Sequence, residues 1–322
     1  MGDINIKGFK SPSILREGFR MGNLCGMKIN FIVVFFFQIS SIICQNNNTN
    51  DYQALRAIYL STNGDNWTVK KGWPSSEEFI LNLLPPPNTD YSKWHGVQCS
   101  KGRVLELWFQ KNNLTGVLPE ELGNLTELTW LIIEENPLGG GIPSTIGNLH
   151  NLYQCQMCCN RLSGKIPKEL GNLNNLYFIE LGYNQLTGDI PIEIGNLKAL
   201  TGLGLGPNEL TGEIPRELGN LKDLASLFLW ENKLTGWIPS ELGNLKKMKA
   251  MRLNNNLLIG EIPSSLGNLL DLGYLFLQNN NLIGKIPNEL FQLKKLQYFD
   301  FDGNKLDTSS IKRFKEVRGE GY

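Results

Sequence analysis

Histidine, the usual base of an acyl-transfer site, is scarce in this 322-residue sequence. It contains 2 histidines, His95 and His150, and a Ser-His-Asp or Cys-His arrangement would require one of them. Neither has a matching nucleophile in register within its own segment. The glycines follow a regular spacing and form no phosphate-binding loop. We therefore expect no enzymatic activity, no cofactor and no catalytic or metal site.

The cluster Cys155-Gln-Met-Cys158-Cys159 is the strongest candidate for redox or metal chemistry. In an extended strand, residues three apart lie about 10 Å from one another, beyond the 7 Å limit for a disulfide. We therefore favour a structural role, with Cys155 and Met157 facing a core and Cys158 and Cys159 at the end of a strand. Two alternatives remain for this cluster: a disulfide between Cys158 and Cys159, or an unreacted thiol.

The chain is organised by one unit that recurs every 24 residues. Nine asparagines mark the period without an insertion: Asn112, Asn136, Asn160, Asn184, Asn208, Asn232, Asn256, Asn280 and Asn304. A proline recurs in the same register, as at Pro143 and Pro167. A fixed period of this length indicates stacked supersecondary units.

Each unit predicts one coil with a short strand. Leu131 and Ile133 alternate with Trp130 and Ile132, the period of two of a strand with one face inward. Strands of successive coils should form a parallel sheet with a spacing of about 4.8 Å, so nine coils span roughly 40 Å. The recurring asparagine should be buried and hydrogen-bonded, because buried amides are almost always paired. The glycine four residues later permits positive φ, and the proline fixes the extended outer segment.

The unit LxxLxLxxNxLxGxIPxxLGNL, as in residues 227–245, resembles the plant-type extracellular leucine-rich repeat. That family includes receptor-kinase ectodomains, receptor-like proteins without kinases and polygalacturonase-inhibiting proteins. The resemblance implies an α/β repeat solenoid, with a parallel β-sheet on the concave face, short 3-10 or irregular segments on the convex face and a helical N-terminal cap. It covers residues 104–307.

The chain divides into four predicted segments. These are a signal peptide or leader (1–44), an N-terminal cap (45–103), the leucine-rich repeats (104–307, nine coils with the last incomplete) and a C-terminal cap or tail (308–322). We expect no kinase domain and no membrane-spanning segment after the repeats. The tail either forms a short helix or frays.

The leader indicates the secretory pathway. Basic residues precede the short apolar run from 29 to 44, as in a signal peptide. The run is short for a membrane span, which needs about 20 apolar residues, so an uncleaved anchor is the alternative. The 31 basic and 31 acidic residues give no indication of nucleic acid binding. We expect a secreted or cell-surface glycoprotein, with sequons at Asn47, Asn66, Asn113 and Asn124.

The cap should open with a helix that is N-capped by Asp51 and runs to Thr62. The segments TNGDNWTVKKGW (62–73) and WHGVQC (94–99) resemble the N-terminal cap of the repeat family. Ser92 replaces the cysteine that the family usually places seven residues before Cys99. We therefore expect the customary cap disulfide to be missing and Cys99 to have no obvious mate.

The variable strand positions point to the concave face, where repeat proteins of this kind bind their partners. Nine of these positions carry aromatic side chains, although core packing requires none there: Trp108, Trp130, Phe178, Tyr183, Phe228, Trp230, Tyr274, Phe276 and Tyr298. Exposed aromatic clusters mark binding surfaces. Seven acidic residues (Glu106, Glu134, Glu135, Glu180, Glu231, Asp300 and Asp302) outnumber Lys111 and Arg252. Gly202, Gly204 and Gly206 should leave a bare strip for a ligand backbone.

We predict that the nine aromatic residues and Arg252 bind an extended peptide or protein with basic and apolar groups, in a receptor-like signalling or defence role. A membrane receptor kinase is a candidate partner, and a glycan is the second choice of ligand. In the opposing interpretation, the aromatic side chains only shield neighbouring coils.

The competing functions are inhibition of an extracellular hydrolase such as a polygalacturonase, and structural adhesion. The inhibitors' flanking cysteine pairs are absent here. Trp237 lies on the flank, as part of a second patch or as an isolated ring.

Overall fold

The computed structural model describes residues 49–86 and 89–318. All of them belong to one compact unit. The predicted leader and the sequon at Asn47 lie outside the described residues. None of the described helices is long and apolar enough to cross a membrane.

The main sheet has ten strands, and all but the first pair are parallel. Its strands, in spatial order, are β1 (Val97–Ser100), β2 (Arg103–Trp108), β3 (Trp130–Ile132), β4 (Gln154–Gln156), β6 (Phe178–Glu180), β8 (Gly202–Gly204), β10 (Ser226–Phe228), β11 (Ala250–Arg252), β13 (Tyr274–Phe276) and β15 (Tyr298–Asp300). Neighbouring parallel strands pair residues one period apart, for example Leu131 with Cys155. The predicted parallel sheet is confirmed.

A second set of short strands forms the flank of the coils. One three-stranded sheet consists of β5 (Ser163–Lys165), β7 (Gln185–Asp189) and β9 (Glu209–Thr211), and another of β12 (Ile259–Glu261), β14 (Asn281–Gly284) and β16 (Lys305–Leu306). Isolated bridges, Glu213 to Thr235 and Trp237 to Ile259, continue the pairing between them. The flank is therefore a regular surface in its own right.

On the outer side, each proline introduces a 3-10 turn. The turns are Glu120–Asn124, Ser144–Asn148, Lys168–Asn172, Ile192–Asn196, Arg216–Asn220, Ser240–Asn244, Ser264–Asn268 and Asn288–Gln292. The glycine of the LGN segment brings successive turns into close contact. At Gly147 an added Cβ would lie 2.6 Å from Cβ of Glu169, so any larger residue would push the coils apart.

The core is a continuous column of leucines and isoleucines, and Leu131, Cys155 and Met157 are all fully buried within it. The asparagines connect each coil to the one before. In Asn136, Oδ1 accepts hydrogen bonds from the backbone nitrogens of Asn112 (2.9 Å) and Leu114 (3.1 Å). Its Nδ2 donates to the carbonyl oxygens of Phe109 (2.6 Å) and Glu134 (2.9 Å). The predicted role of the asparagine is confirmed.

The N-terminal cap contains α1 (Thr49–Ser61) and α2 (Ser76–Leu81). Asp51 lies inside the first turn of α1, so its predicted role as N-cap is wrong. Its buried carboxylate accepts hydrogen bonds from Arg103 Nε (3.2 Å) and the backbone nitrogen of Val104 (2.8 Å), which joins the helix to β2. Trp67 and Trp73 are buried against Tyr59 and close the open end of the leucine column.

Cys99 takes part in a disulfide, so the expectation that it has no mate is wrong. A disulfide requires only proximity in space, and the family's usual spacing is one of several ways to provide it.

At the other end, α3 (Thr308–Arg318) covers the last coil. Phe314 is fully buried and packs edge-on against Phe299 at 5.0 Å and Phe301 at 5.4 Å. Of the two alternatives for the tail, the short helix is the one that forms.

Candidate functional site

The candidate site is the solvent-facing side of the main sheet, which we call the concave face. Alternation along most of the short strands buries the middle residue and leaves the first and third residues partly exposed, as in β10, where Leu227 is buried between Ser226 and Phe228. In β3 the third residue, Ile132, is also buried, and in β8 all three residues are. All ten predicted ligand-binding residues lie on this face or at the ends of its strands. Trp108 is the most exposed of them, at 42 %.

An aromatic ladder runs over the first four coils. Trp108 and Trp130 stack with ring centroids 5.6 Å apart, and Trp130 contacts Tyr153 at 6.2 Å. Tyr153 stacks on Tyr177 at 4.9 Å. The two tyrosines escaped the sequence prediction, because each lies one position before the columns assigned to the concave face. Their recurrence 24 residues apart was the available signal.

The predicted bare strip of glycines does not exist. Gly202, Gly204 and Gly206 are all buried. Side chains of the preceding coil fold over Gly202 and Gly204, and the backbone of Trp230 in the following coil packs against Gly206. An added Cβ at Gly202 would collide with the ring of Phe178, and one at Gly204 with the carboxylate of Glu180. The missing side chains therefore make room for Phe178 and Glu180, and they give a ligand no access to the backbone.

Next to the ladder lies an acidic cluster that water reaches poorly, formed by Glu134, Cys158 and Glu180. Desolvation, together with the negative charge of Glu134, raises the pKa of Glu180 to about 7, against a hydrogen bond from the Gly182 nitrogen that lowers it. Desolvation also raises the pKa of Glu134, which accepts a hydrogen bond from the Cys158 thiol at 3.5 Å. Such carboxylates lack full hydration, so a cation from a ligand would stabilise them strongly.

Replacement of Glu180 by glutamine is expected to stabilise the fold above neutral pH. The folded-state pKa of about 7 exceeds the ordinary 4.5, so the parent loses stability as pH rises from 4.5 through 7. Glutamine removes this loss, and the expected gain at pH 8 is up to about 3 kcal/mol, vanishing below pH 4.5. Denaturant unfolding at both pH values measures it.

Glu231→Gln is the control on the same face, because this carboxylate is exposed and keeps its water. It should change stability little at either pH. Equal effects of Glu180→Gln at pH 4 and pH 8 would contradict the assignment of a desolvated carboxyl group.

The last four coils carry a cation enclosed by aromatic rings. The Arg252 guanidinium lies 5.7 Å from the ring centroid of Phe228 and 5.1 Å from that of Phe276. Desolvation lowers the pKa of Arg252, against the charges of Tyr183 and Tyr274, which raise it. Tyr274 stacks on Tyr298 at 4.8 Å. Trp230 meets the edge of Tyr183 at 5.7 Å, at the junction between this group and the acidic cluster.

The cysteines are poorly suited to redox or metal chemistry. Burial raises the pKa of the Cys155 thiol to about 12, and desolvation, with the nearby Glu134, raises that of Cys158 as well. Both remain thiols, whereas Cys159 is disulfide-bonded, so the bridge between Cys158 and Cys159 is not formed. Within residues 49–86 and 89–318, no three histidine, cysteine or acidic side chains come together as metal ligands. His95 and His150 are both exposed.

Three of the predicted sequons lie on the described surface. Asn66, Asn113 and Asn124 have exposed side chains in the cap and the first coil. Asn113 Nδ2 donates a hydrogen bond to the carbonyl oxygen of Asn66 (2.9 Å), so two of them are neighbours. Their glycosylation remains a prediction.

Comparison with known proteins places this architecture in a family. The family model described as Leucine Rich Repeat matches six segments: 103–125, 127–149, 175–197, 223–245, 247–269 and 271–293. The structure is similar to the leucine-rich-repeat ectodomain of the membrane receptor kinase GASSHO1/SCHENGEN3 from Arabidopsis thaliana, in complex with CASPARIAN STRIP INTEGRITY FACTOR 2. That match has 34 % identity and a TM-score of 0.71, over 80 % of this chain and 30 % of that chain.

Two further structures show the range of the resemblance. The Arabidopsis receptor kinase HAESA, in complex with the peptide hormone IDA and the co-receptor SERK1, has 28 % identity and a TM-score of 0.58, over 80 % of this chain and 46 % of that chain. A plant ice-binding protein has 28 % identity and a TM-score of 0.62, over 81 % of this chain and 88 % of that protein. The chain spans less than half the length of the two receptor ectodomains. Its 24-residue coils, asparagine ladder and matched segments show a leucine-rich-repeat protein that is similar to the ectodomains of plant receptor kinases.

Proposed function

We propose that this chain is an extracellular recognition module whose concave face binds an extended peptide or protein segment with basic and apolar groups. The observation that carries the proposal is that the acidic cluster lies beside the aromatic ladder of the first four coils and on the same face as the aromatic rings of the last four. Rings give large contact area for little loss of side-chain entropy, and desolvated carboxylates favour a cationic partner. The ligand complexes of the similar receptor ectodomains support the same use of the fold.

The role we propose is receptor-like, in signalling or defence, on a secreted or surface-held protein. A membrane receptor kinase is the proposed protein partner, because HAESA binds its hormone together with a co-receptor. The chemistry of the concave face suits binding, because desolvation and the nearby Glu134 raise the pKa of Cys158 and keep this residue as a weakly nucleophilic thiol.

The test uses the full chain and a displayed library of random linear peptides. We expect enrichment of sequences that combine lysine or arginine with aromatic or aliphatic residues. Binding of an enriched peptide should weaken several-fold between pH 8 and pH 6, because a proton on Glu180 removes the charge that holds the cation. Glu180→Gln should bind weakly at pH 8 and lose the pH dependence. Enrichment of acidic sequences, or of none, would overturn the proposal.

The competing functions are separated by affinity capture from extracellular fluid of the source. Recovery of a hydrolase whose activity falls when the chain is added would favour the inhibitor function. The acidic character of the concave face is the observation that supports this alternative. Recovery of glycans alone would favour stacking of sugars on the aromatic ladder. Binding of the chain to ice crystals would place it with the ice-binding neighbour.

A further inference from the structure

A second exposed surface lies on the flank of coils six to eight, away from the concave face. Four large apolar side chains form it: Trp237 (70 % exposed), Leu257 (49 %), Ile259 (45 %) and Ile283 (47 %). They are contiguous, because Trp237 bridges to Ile259, Leu257 precedes Ile259 by two residues, and Ile283 lies diagonally across from Ile259 in the pairing of β12 with β14. We call these four residues the flank patch.

The tryptophan is held flat against the flank. An added Cβ at Gly260 would lie 2.6 Å from Cδ1 of Trp237, so the ring covers this glycine and presents its other side to solvent. Large apolar side chains that are exposed next to one another on a protein surface can form an interaction site, whereas single exposed ones need no explanation. The sequence allowed two interpretations of Trp237, as part of a second patch or as an isolated exposed ring. In the structure it belongs to the flank patch.

The charges around the patch differ between its two sides. The preceding coils present exposed Asp189, Glu209 and Glu213, which outnumber the exposed Lys165 and Lys233 there; Lys233 pairs with Glu209 at 3.1 Å. The following coils present exposed Lys285 and Lys305. Asp307 on that side caps α3, because its carboxylate accepts a hydrogen bond from the Ser310 nitrogen (2.9 Å). Glu261 lies between the two sides.

An apolar centre with acid on one side and base on the other is complementary to itself. A two-fold axis parallel to the flank strands through the patch would bring the acidic coils of one copy opposite the lysines of a second copy. Such an isologous contact is the commonest form of association between identical chains. We propose that the flank patch is the contact surface of a homodimer.

The surrounding features are compatible with this contact. The sequons at Asn66, Asn113 and Asn124 lie in the cap and the first coil, about five coils or roughly 24 Å from the patch, so glycans there would leave it open. The concave face of each copy would also stay accessible. The patch is small beside a standard interface of about 800 Å² per partner, so the dimer is of the weak class, seen at micromolar concentration.

Sedimentation velocity of the full chain over a concentration series tests the proposal, with thermal unfolding to check that each variant is folded. The parent should pass from monomer to dimer, and Ile259→Lys should weaken the dimer at least thirty-fold, as expected for a charge at the centre of an apolar contact. Ile192→Lys is the matched control, because this isoleucine is 58 % exposed on the outer side, and it should dimerise like the parent.

Charge reversal tests the orientation. Glu209→Lys/Glu213→Lys and Lys285→Glu/Lys305→Glu should each dimerise at least tenfold more weakly, and an equimolar mixture of the two should recover affinity as a heterodimer. A parent that stays monomeric, or a dimer indifferent to Ile259→Lys, would overturn the proposal. If the equimolar mixture of the two variants does not recover the dimer affinity, the two-fold arrangement is wrong.

Discussion

Alanine at Asn136 is expected to lower the free energy of unfolding by about 3–5 kcal/mol, because three buried backbone groups lose their side-chain partner at once and the Glu134 carbonyl keeps only its bond from the Lys111 nitrogen. The side chain joins the nitrogens of Asn112 and Leu114 to the carbonyls of Phe109 and Glu134, and only 3 % of it is exposed. The methyl group of alanine cannot replace these hydrogen bonds. Denaturant unfolding followed by circular dichroism measures the loss.

Asn148→Ala is the matched control, because this asparagine has an exposed side chain on the outer turn. Its replacement should change stability by less than about 0.5 kcal/mol. Asn136→Asp should cost at least as much as Asn136→Ala, because it keeps the acceptor, loses both donated bonds and buries a charge. A small effect of both changes at position 136 would show that the coils relax enough to satisfy these groups without the ladder.

The double variant Phe228→Ala/Trp230→Ala is expected to weaken binding of an enriched peptide by about 10²–10³-fold, the effect of removing two interface anchors. Loss of Phe228 exposes one side of the Arg252 guanidinium, and loss of Trp230 removes the ring that meets Tyr183 edge-on. Isothermal titration at constant pH measures the change. Folding should survive, because both rings lie on the solvent side of the sheet and neither belongs to the leucine column.

Trp237→Ala controls for the general stickiness of an exposed tryptophan, since that ring lies on the flank. In the monomer it should bind the peptide like the parent. Unchanged affinity of the double variant, with its fold intact, would remove this part of the concave face from the proposed site.

The repeat architecture was predictable because its determinants are local and recur nine times. The buried asparagine, the inward-facing Leu131 and Ile133 and the positive φ of Gly140 (69°) all follow from the period, and the structure confirms them. Ile132, predicted to face outward with Trp130, is also buried, although it lies outside the leucine column. The sequence also predicted that Cys155 and Met157 face the core. The repeats align with one another, so the position of each residue within the 24-residue unit is known. That position determines which face of the strand the side chain lies on.

What escaped prediction depends on contacts between different coils or between the cap and the repeats. Glycine spacing alone could not reveal that Phe178 and Glu180 fold over Gly202 and Gly204, because the covering side chains belong to another coil. Asp51 resembled an N-cap locally, yet its partner Arg103 is 52 residues away. The stacking of Tyr153 on Tyr177 lies one position outside the assumed columns.

The uninterrupted 24-residue period makes the proposed site a molecular ruler. Glu180 and Arg252 lie three coils apart, which corresponds to about 14 Å at 4.8 Å per coil. An extended peptide covers this distance in about four residues. A ligand that engages both groups should therefore carry its basic side chain about four positions from an acidic side chain or terminal carboxylate. An extra residue between these two positions of the ligand would move its charges away from Glu180 and Arg252.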